Sequence, residues 1–229
     1  MELADRMKRY ESVFKSTIMP KTPAIIRIDG KAFHTWTKGL GKPFDPRFYV
    51  AMASTTKELV SRIQGATFAY GQSDEISILL KDYDTYDTEA WFGGTVQKIA
   101  SVGASMATAF FNDAVKRLDI PDRDLAFFDC RVFSIPAHEV TNYFIWRQQD
   151  FIRNSVQSCA RYYLGHKSCH GLNRQGMLDA MMQMEPSFDW NRDLDTVYKL
   201  GYTYEKGYTE VNFEIPEFRE LRDYVEIHV

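Results

Sequence analysis

Residues 66–80 read ATFAYGQSDEISILL, and this stretch decides the fold. Two apolar runs, Thr67 to Tyr70 and Ile76 to Leu80, are separated only by GQSDE, a break short enough for a hairpin. The turn carries two carboxylates, Asp74 and Glu75. Upstream, Asp45 followed by Pro46 is a good N-cap and first helical residue, and Phe48, Met52, Thr55, Leu59 and Ile63 recur at helical spacing, predicting a helix over about 46–64. Before it, Ala24 to Asp29 (AIIRID) is a short apolar strand entering a turn at Gly30. Downstream, Ile99, Met106, Phe110 and Leu118 share one face of a helix expected over 88–118, and LAFFDCRVFS at 125–134 is a further strand.

The order strand, helix, strand, strand, helix, strand is a split βαββαβ unit, an α+β fold whose antiparallel sheet carries two helices on one face. It is placed at 1–135. The remaining 136–229 shows helical patterns around 139–164 and 175–184, then a Tyr- and Gly-rich segment over 198–208. A helical C-terminal region ending in a hairpin and packed on the sheet unit is expected.

Composition limits the functions available. The 229 residues hold 28 Lys and Arg against 31 Asp and Glu, a net charge of −3 that excludes a simple basic nucleic-acid coat. No uncharged stretch approaches the about 20 apolar residues of a membrane span, and MELADRMKRYE at the start lacks the apolar core of a secretory signal, so a cytoplasmic protein is expected. Cys130, Cys159 and Cys169 are odd in number and form no C-x-x-C pair, which disfavours a disulfide framework.

Chemistry concentrates at the strand ends. In a βαββαβ sheet the first and third strands are neighbours, so Asp29 can meet Asp74 and Glu75 at one edge. Three such groups repel unless a cation compensates, and carboxylates plus substrate phosphates are what Mg²⁺ prefers, two ions about 4 Å apart clamping an in-line phosphoryl transfer. The alternative is that Asp29 and Asp74 are ordinary turn residues beside glycines. Lys31, His34, Lys42 and Lys98 could hold triphosphates or be solvated surface. His166, Cys169 and His170 lack a matching Cys or His cluster for zinc. The tyrosines at 198, 202, 204 and 208 suit strand packing or base stacking, and Arg147, Arg153, Arg161, Lys167 and Arg174 suit phosphate contacts or a solvated helix face.

RIDGKAFH at 27–34, KPFD at 42–45, YGQSDEIS at 70–77, FDCRVF at 128–133 and WRQQD at 146–150 together resemble the motifs of the tRNA-His guanylyltransferase family, enzymes that add nucleotides in the 3′-to-5′ direction. The resemblance covers about 24–155 and implies a polymerase-type palm, two Mg²⁺ ions, ATP and GTP or other nucleoside triphosphates as substrates, tRNA as partner and a homo-tetramer. Residue by residue, it implies that Asp29 and Asp74 bind metal together with the Gly30 carbonyl, and that Glu75 is the adjacent acidic residue needed for activity. It also implies that Lys31, Ala32, Phe33, His34, Lys42, Asp45 and Ser73 hold nucleotide, and that Lys98 and Arg131 are basic residues of the nucleotide and RNA site.

Two departures matter. After WRQ-x-D the eukaryotic enzymes carry a His-Ile-Asn-Asn motif tied to tRNA-His recognition, whereas this chain has Phe151, Ile152, Arg153, Asn154 and Ser155. Thr95 stands where they place an Arg one turn before Lys98. The chain therefore resembles the Thg1-like branch, associated with template-dependent repair of tRNA 5′ ends. Addition of a single 5′ G to tRNA-His, a palm-type nucleotidyl cyclase and a catalytically silent RNA-binding protein are the alternatives.

Overall fold

The computed structural model describes residues 1–120 and 123–229. In chain order its elements are α1 (Leu3–Ser12), β1 (Ala24–Gly30), α2 (Phe33–Trp36), α3 (Pro46–Arg62), β2 (Ala66–Gln72), β3 (Glu75–Leu80), α4 (Val96–Arg117), β4 (Phe128–Ser134), α5 (Ala137–Tyr163), α6 (Arg174–Met182), α7 (Trp190–Asp193), α8 (Thr196–Leu200), β5 (Tyr202–Glu205) and α9 (Asp223–Glu226). The five strands form one antiparallel sheet in the order β4-β1-β3-β2-β5.

Strand alternation sorts each side chain to one of two faces. Ile26, Ile28, Ile76 and Ile78 join a core with Phe48, Met52 and Leu59 of α3 and Ile99, Ala107 and Phe111 of α4. Both helices therefore cover one face, as the βαββαβ order predicts. Ile25, Phe68, Tyr70 and Leu79 point the other way, against Val140, Tyr143 and Phe144 of α5, and Phe218 and Val225 close that second core. α5 covers only one end of its face. At the other end the same pleat presents Arg27, Asp29, Gln72, Glu75, Asp129 and Arg131, which is where the sheet turns from packing to chemistry.

Three local expectations change. The helix expected from 88 begins at Val96, because Phe92, Gly93 and Gly94 all take positive φ and break the run. The strand expected from 125 begins at Phe128. The terminal hairpin is instead a single strand, β5, paired along β2, whose return contact is the bridge between Thr203 and Asn212. The apolar edge of β2 explains the change: Tyr202 lies over Gly71, where a Cβ would come within 2.1 Å of the ring. Tyr198, Tyr202 and Tyr204 are packing residues, Tyr198 stacking on Phe44 with ring centroids 5.0 Å apart, while Tyr208 is exposed.

Candidate active site

The β2–β3 hairpin closes through only Ser73 and Asp74, since Gln72 already pairs with Glu75. Ser73 sits at φ 47°, a left-handed conformation that a side chain seldom adopts. Its hydroxyl lies 3.0 Å from Asp74 Oδ1, and the Gly30 N–H donates to the Asp74 carbonyl at 3.1 Å, tying the end of β1 to the hairpin tip. Asp29 pairs in register with Glu75. The first and third strands thus bring Asp29, Gly30 and Asp74 together, as their neighbouring positions predict.

The three carboxylates have different surroundings. Glu75 is buried, and its charge is met by protein: Arg147 donates from Nε to Oε1 at 2.7 Å and from Nη2 to Oε2 at 2.8 Å, Arg27 lies 2.6 Å from Oε2, and Gln72 Nε2 donates at 3.2 Å. Glu75 therefore has its counter-charge within the protein, whereas Asp29 and Asp74 have no bonded cation among the described residues. Burial pushes the Asp29 carboxyl up, with the Glu75 charge adding to it. Burial and then the Asp29 charge push Asp74 up to about 6. Two carboxylates on adjoining strand ends, both penalised by burial and Asp74 also by the Asp29 charge, are hard-oxygen donors of the kind that fit Mg²⁺.

Two cavities meet at this pair. One, of about 400 Å³, is walled by Arg27, Lys42, Asp45, Tyr49, Arg147 and Asn154 among others, and the second, of about 380 Å³, by Gly30, Ala32, Phe33 and His34; Asp29, Ser73 and Asp74 belong to both. Ala32 takes φ 55° and opens the four-residue α2. Among the described residues the N–H groups of Ala32, Phe33 and His34 donate to no protein acceptor, leaving three consecutive donors beside the cavity, a backbone arrangement suited to phosphate. Gly30 allows this turn: a Cβ there would stand 2.3 Å from the Phe33 ring.

The other expected residues divide. Lys42 lines the larger cavity. Asp45 lines it too, but its carboxylate accepts from the Gly41 N–H and from the N–H, Nε and Nη2 of Arg47 at 2.8–3.1 Å, so it fixes the loop that bears Lys42, and the Arg47 bonds hold its pKa at about 2. The Lys31 side chain points away from both cavities to a depression beside Phe127, while its N–H donates to the Phe127 carbonyl. Arg131 shares the Asp29 face but bonds Asp129 at 3.0 Å. Lys98 lies on α4, across the sheet, with its ammonium over the Phe92 ring; neither cavity includes it.

Arg27, Gln72 and Arg147 are the site residues that sequence patterning misses. Arg147, which in sequence reads as part of a basic stretch, is 5% exposed and lies against Trp146, whose ring centroid is 4.5 Å from its guanidinium carbon. The available signal was the second carboxylate of the hairpin turn, which needed a buried counter-charge.

A palm-like sheet that presents two unneutralised carboxylates between two nucleotide-sized cavities defines the class: a palm-type nucleotidyltransferase. The chain belongs to the tRNA-His guanylyltransferase (Thg1) family, whose model matches residues 4–136. It is similar over its whole length to a bacterial tRNA(His) guanylyltransferase (Thg1)-like protein solved in complex with ATP, with 45% identity, 99% of that chain covered and a TM-score of 0.94. The tRNA(His) guanylyltransferase of Schizosaccharomyces pombe is 31% identical over 69% of this chain, which spans 59% of that protein's length. The Saccharomyces cerevisiae enzyme structure, 22% identical with a TM-score of 0.78 over 94% of this chain and 98% of its own, shares the fold. No helix among the described residues is long and apolar enough to cross a membrane.

Proposed function

We propose that this enzyme adds nucleotides to the 5′ end of tRNA in the 3′-to-5′ direction, copying the opposite strand of the acceptor stem. The observation that carries the reading is the pair of cavities sharing Asp29, Ser73 and Asp74, because the reaction handles two nucleotides in succession at one RNA 5′ end. A 5′ monophosphate has no good leaving group. Its oxygen first attacks the α-phosphorus of ATP or GTP, releasing pyrophosphate and leaving a 5′-5′ phosphoanhydride. The 3′ hydroxyl of the incoming triphosphate then attacks the RNA's 5′ phosphorus, a phosphodiester forms, and AMP or GMP departs.

In this reading Asp29, Asp74 and the Gly30 carbonyl hold Mg²⁺, which when bound lowers the pKa of the attacking hydroxyl and neutralises triphosphate charge. The free N–H groups of Ala32 to His34 and the side chains of His34 and Lys42 orient phosphates. Ser73 holds the Asp74 carboxylate in its rotamer, and Glu75, locked by Arg147 and Arg27, fixes the strand ends.

Repair is favoured over tRNA-His specificity by residues 151–155. Anticodon reading needs polar groups at base edges. Phe151 and Ile152 are buried in the packing of α5, and Ser155 donates to the Tyr198 carbonyl and accepts from Trp190 Nε1. A tetramer would also cover α1, which buries none of its residues and exposes Leu3, Met7 and Tyr10; light scattering measures that mass.

The test incubates the enzyme with Mg²⁺, ATP, nucleoside triphosphates and 5′-truncated tRNAs of several identities. Comparable kcat/KM across identities, extension that stops at a fully paired stem, and a capped intermediate when the second nucleotide is withheld are expected. A large loss on changing the His anticodon sinks the repair reading.

A further inference from the structure

Residues 151–178 contain no Asp or Glu, yet hold Arg153, Arg161, Lys167 and Arg174; this segment is +4 in a chain of −3, so the rest carries −7. The segregation is spatial as well. α5 walls the larger cavity turn by turn, through Arg147, Asp150, Asn154 and Ser158. The next turn of that face brings Arg161, on the order of 21 Å along the helix axis from Arg147 at 1.5 Å per residue. α6 folds back onto α5 through Val156, Cys159, Met177 and Met181, which returns Arg174 at its start to the end of α5, with Lys167 in the connection between them.

The cations differ in what they already bind. Arg153 is paired with Asp150. Arg161, Lys167 and Arg174 are exposed and make no ion pair or side-chain hydrogen bond among the described residues; Arg174 lies only over the Trp190 ring. Holding three unpaired cations together in an otherwise acidic molecule has no structural return, since like charges repel. It fits a polyanion that enters the cavity by one end and lies along α5.

We propose that Arg161, Lys167 and Arg174 form the docking surface for the phosphate backbone of duplex RNA, beginning about one helical turn beyond the cavity wall at Ser158, so that the duplex rests there while its 5′ end reaches Asp29 and Asp74. Duplex RNA is gripped mainly through backbone shape and charge, which a surface of three exposed, unpaired cations can supply. The use of the 5′ end rests on the function proposed above; the affinity of this surface for duplex RNA does not.

The test measures binding of full-length tRNA, and of a hairpin RNA with a 5′ monophosphate, between about 50 and 200 mM salt. The variant is Arg161→Gln/Lys167→Gln/Arg174→Gln. The control, Arg62→Gln/Lys116→Gln/Arg117→Gln, removes the same charge from exposed positions on α3 and α4, across the sheet. At about 0.9 per phosphate contact, the slope of log affinity against log salt should flatten by about 2 to 3 in the first variant, with affinity at least tenfold weaker at low salt, while the control and ATP binding stay at wild-type values. An unchanged slope, or an equal change in the control, overturns the surface. If the slope falls but the wild type extends no RNA, the surface stands and the proposed function fails. If RNA is extended normally while the slope stays fixed, the reverse holds.

Discussion

Arg147 clasps Glu75 through two nearly parallel bonds, 2.7 Å from Nε to Oε1 and 2.8 Å from Nη2 to Oε2, joining the middle of α5 to the start of β3. Both side chains are less than a tenth exposed. Removing one partner of such a pair strands a buried charge, so Arg147→Ala should lower stability by about 3–5 kcal/mol. Arg147→Lys keeps the charge but not the planar fork and should fall between. Urea denaturation measures both, and a loss under about 1 kcal/mol for Arg147→Ala would show that Arg27 alone compensates Glu75.

Asp29 and Asp74 present the opposite case, two carboxylates with no protein cation bonded to them among the described residues. Asp29→Asn and Asp74→Asn should each reduce nucleotide addition by at least about 10²–10³-fold, the scale of losing one electrostatic group at a reacting centre, without unfolding the chain. Because the Asp74 carboxyl is pushed up to about 6, protons compete with a divalent cation below that pH. Calorimetric titration with Mn²⁺ should therefore show affinity falling as pH drops from 7.5 to 5.5 in the wild type, and weak, pH-insensitive binding in Asp74→Asn.

These two cases also show how far the sequence carries. The short apolar runs at 24–29 and 76–80 predict strands, and their order predicts that β1 and β3 are neighbours, which places Asp29 beside Asp74. Nothing in periodicity predicts that Tyr202 would pair with β2, because its partner, Gly71, lies 131 positions earlier and the contact rests on ring shape against a bare backbone. Arg147 is hidden for a similar reason. On a helical wheel it is one more cation; only the tertiary fold sets it against Glu75. Lys98 is the converse case: the resemblance ties it to the nucleotide and RNA site, and within this chain it lies on α4, across the sheet from Asp29 and Asp74.

His228 gives the fold a pH dependence. Its ring stacks on Phe68 with centroids 4.6 Å apart and its Nε2 lies 3.7 Å from Glu205. Burial holds its pKa below the ordinary value; Glu205 opposes this and Lys81 reinforces it. The unfolded chain takes up a proton near 6.5, the folded chain only lower, so the stability present above about pH 6.5 is lost as pH falls through the folded value. Urea midpoints between pH 8 and 5 should fall for the wild type and fall less for His228→Gln. Equal slopes would show that His228 is accommodated in both charge states.

Gly71 and Gly30 separate stability from substrate handling. A Cβ at Gly71 would meet the buried Tyr202 ring at 2.1 Å, on the strand pair that attaches β5 to the sheet. Gly71→Ala should therefore act as overpacking, lowering stability by about 1–3 kcal/mol, with the KM for ATP near normal in the protein that remains folded. A Cβ at Gly30 meets the Phe33 ring instead, at 2.3 Å, and Phe33 is the middle of the three cavity-lining residues whose N–H groups have no protein acceptor among the described residues. That ring is wedged against Trp36, Phe48, Phe111 and Phe128, with centroids 5.0–6.0 Å apart, so it cannot retreat without shifting the turn. Gly30→Ala should raise the KM for triphosphate well beyond tenfold and lower kcat, since the same turn ties the Gly30 N–H to the Asp74 carbonyl. Shrinking the obstacle in Gly30→Ala/Phe33→Leu should recover part of the KM while losing stability of its own. If Gly30→Ala binds ATP normally and is only less stable, the turn at 30–34 is packing alone and the phosphate-holding role of its backbone is wrong.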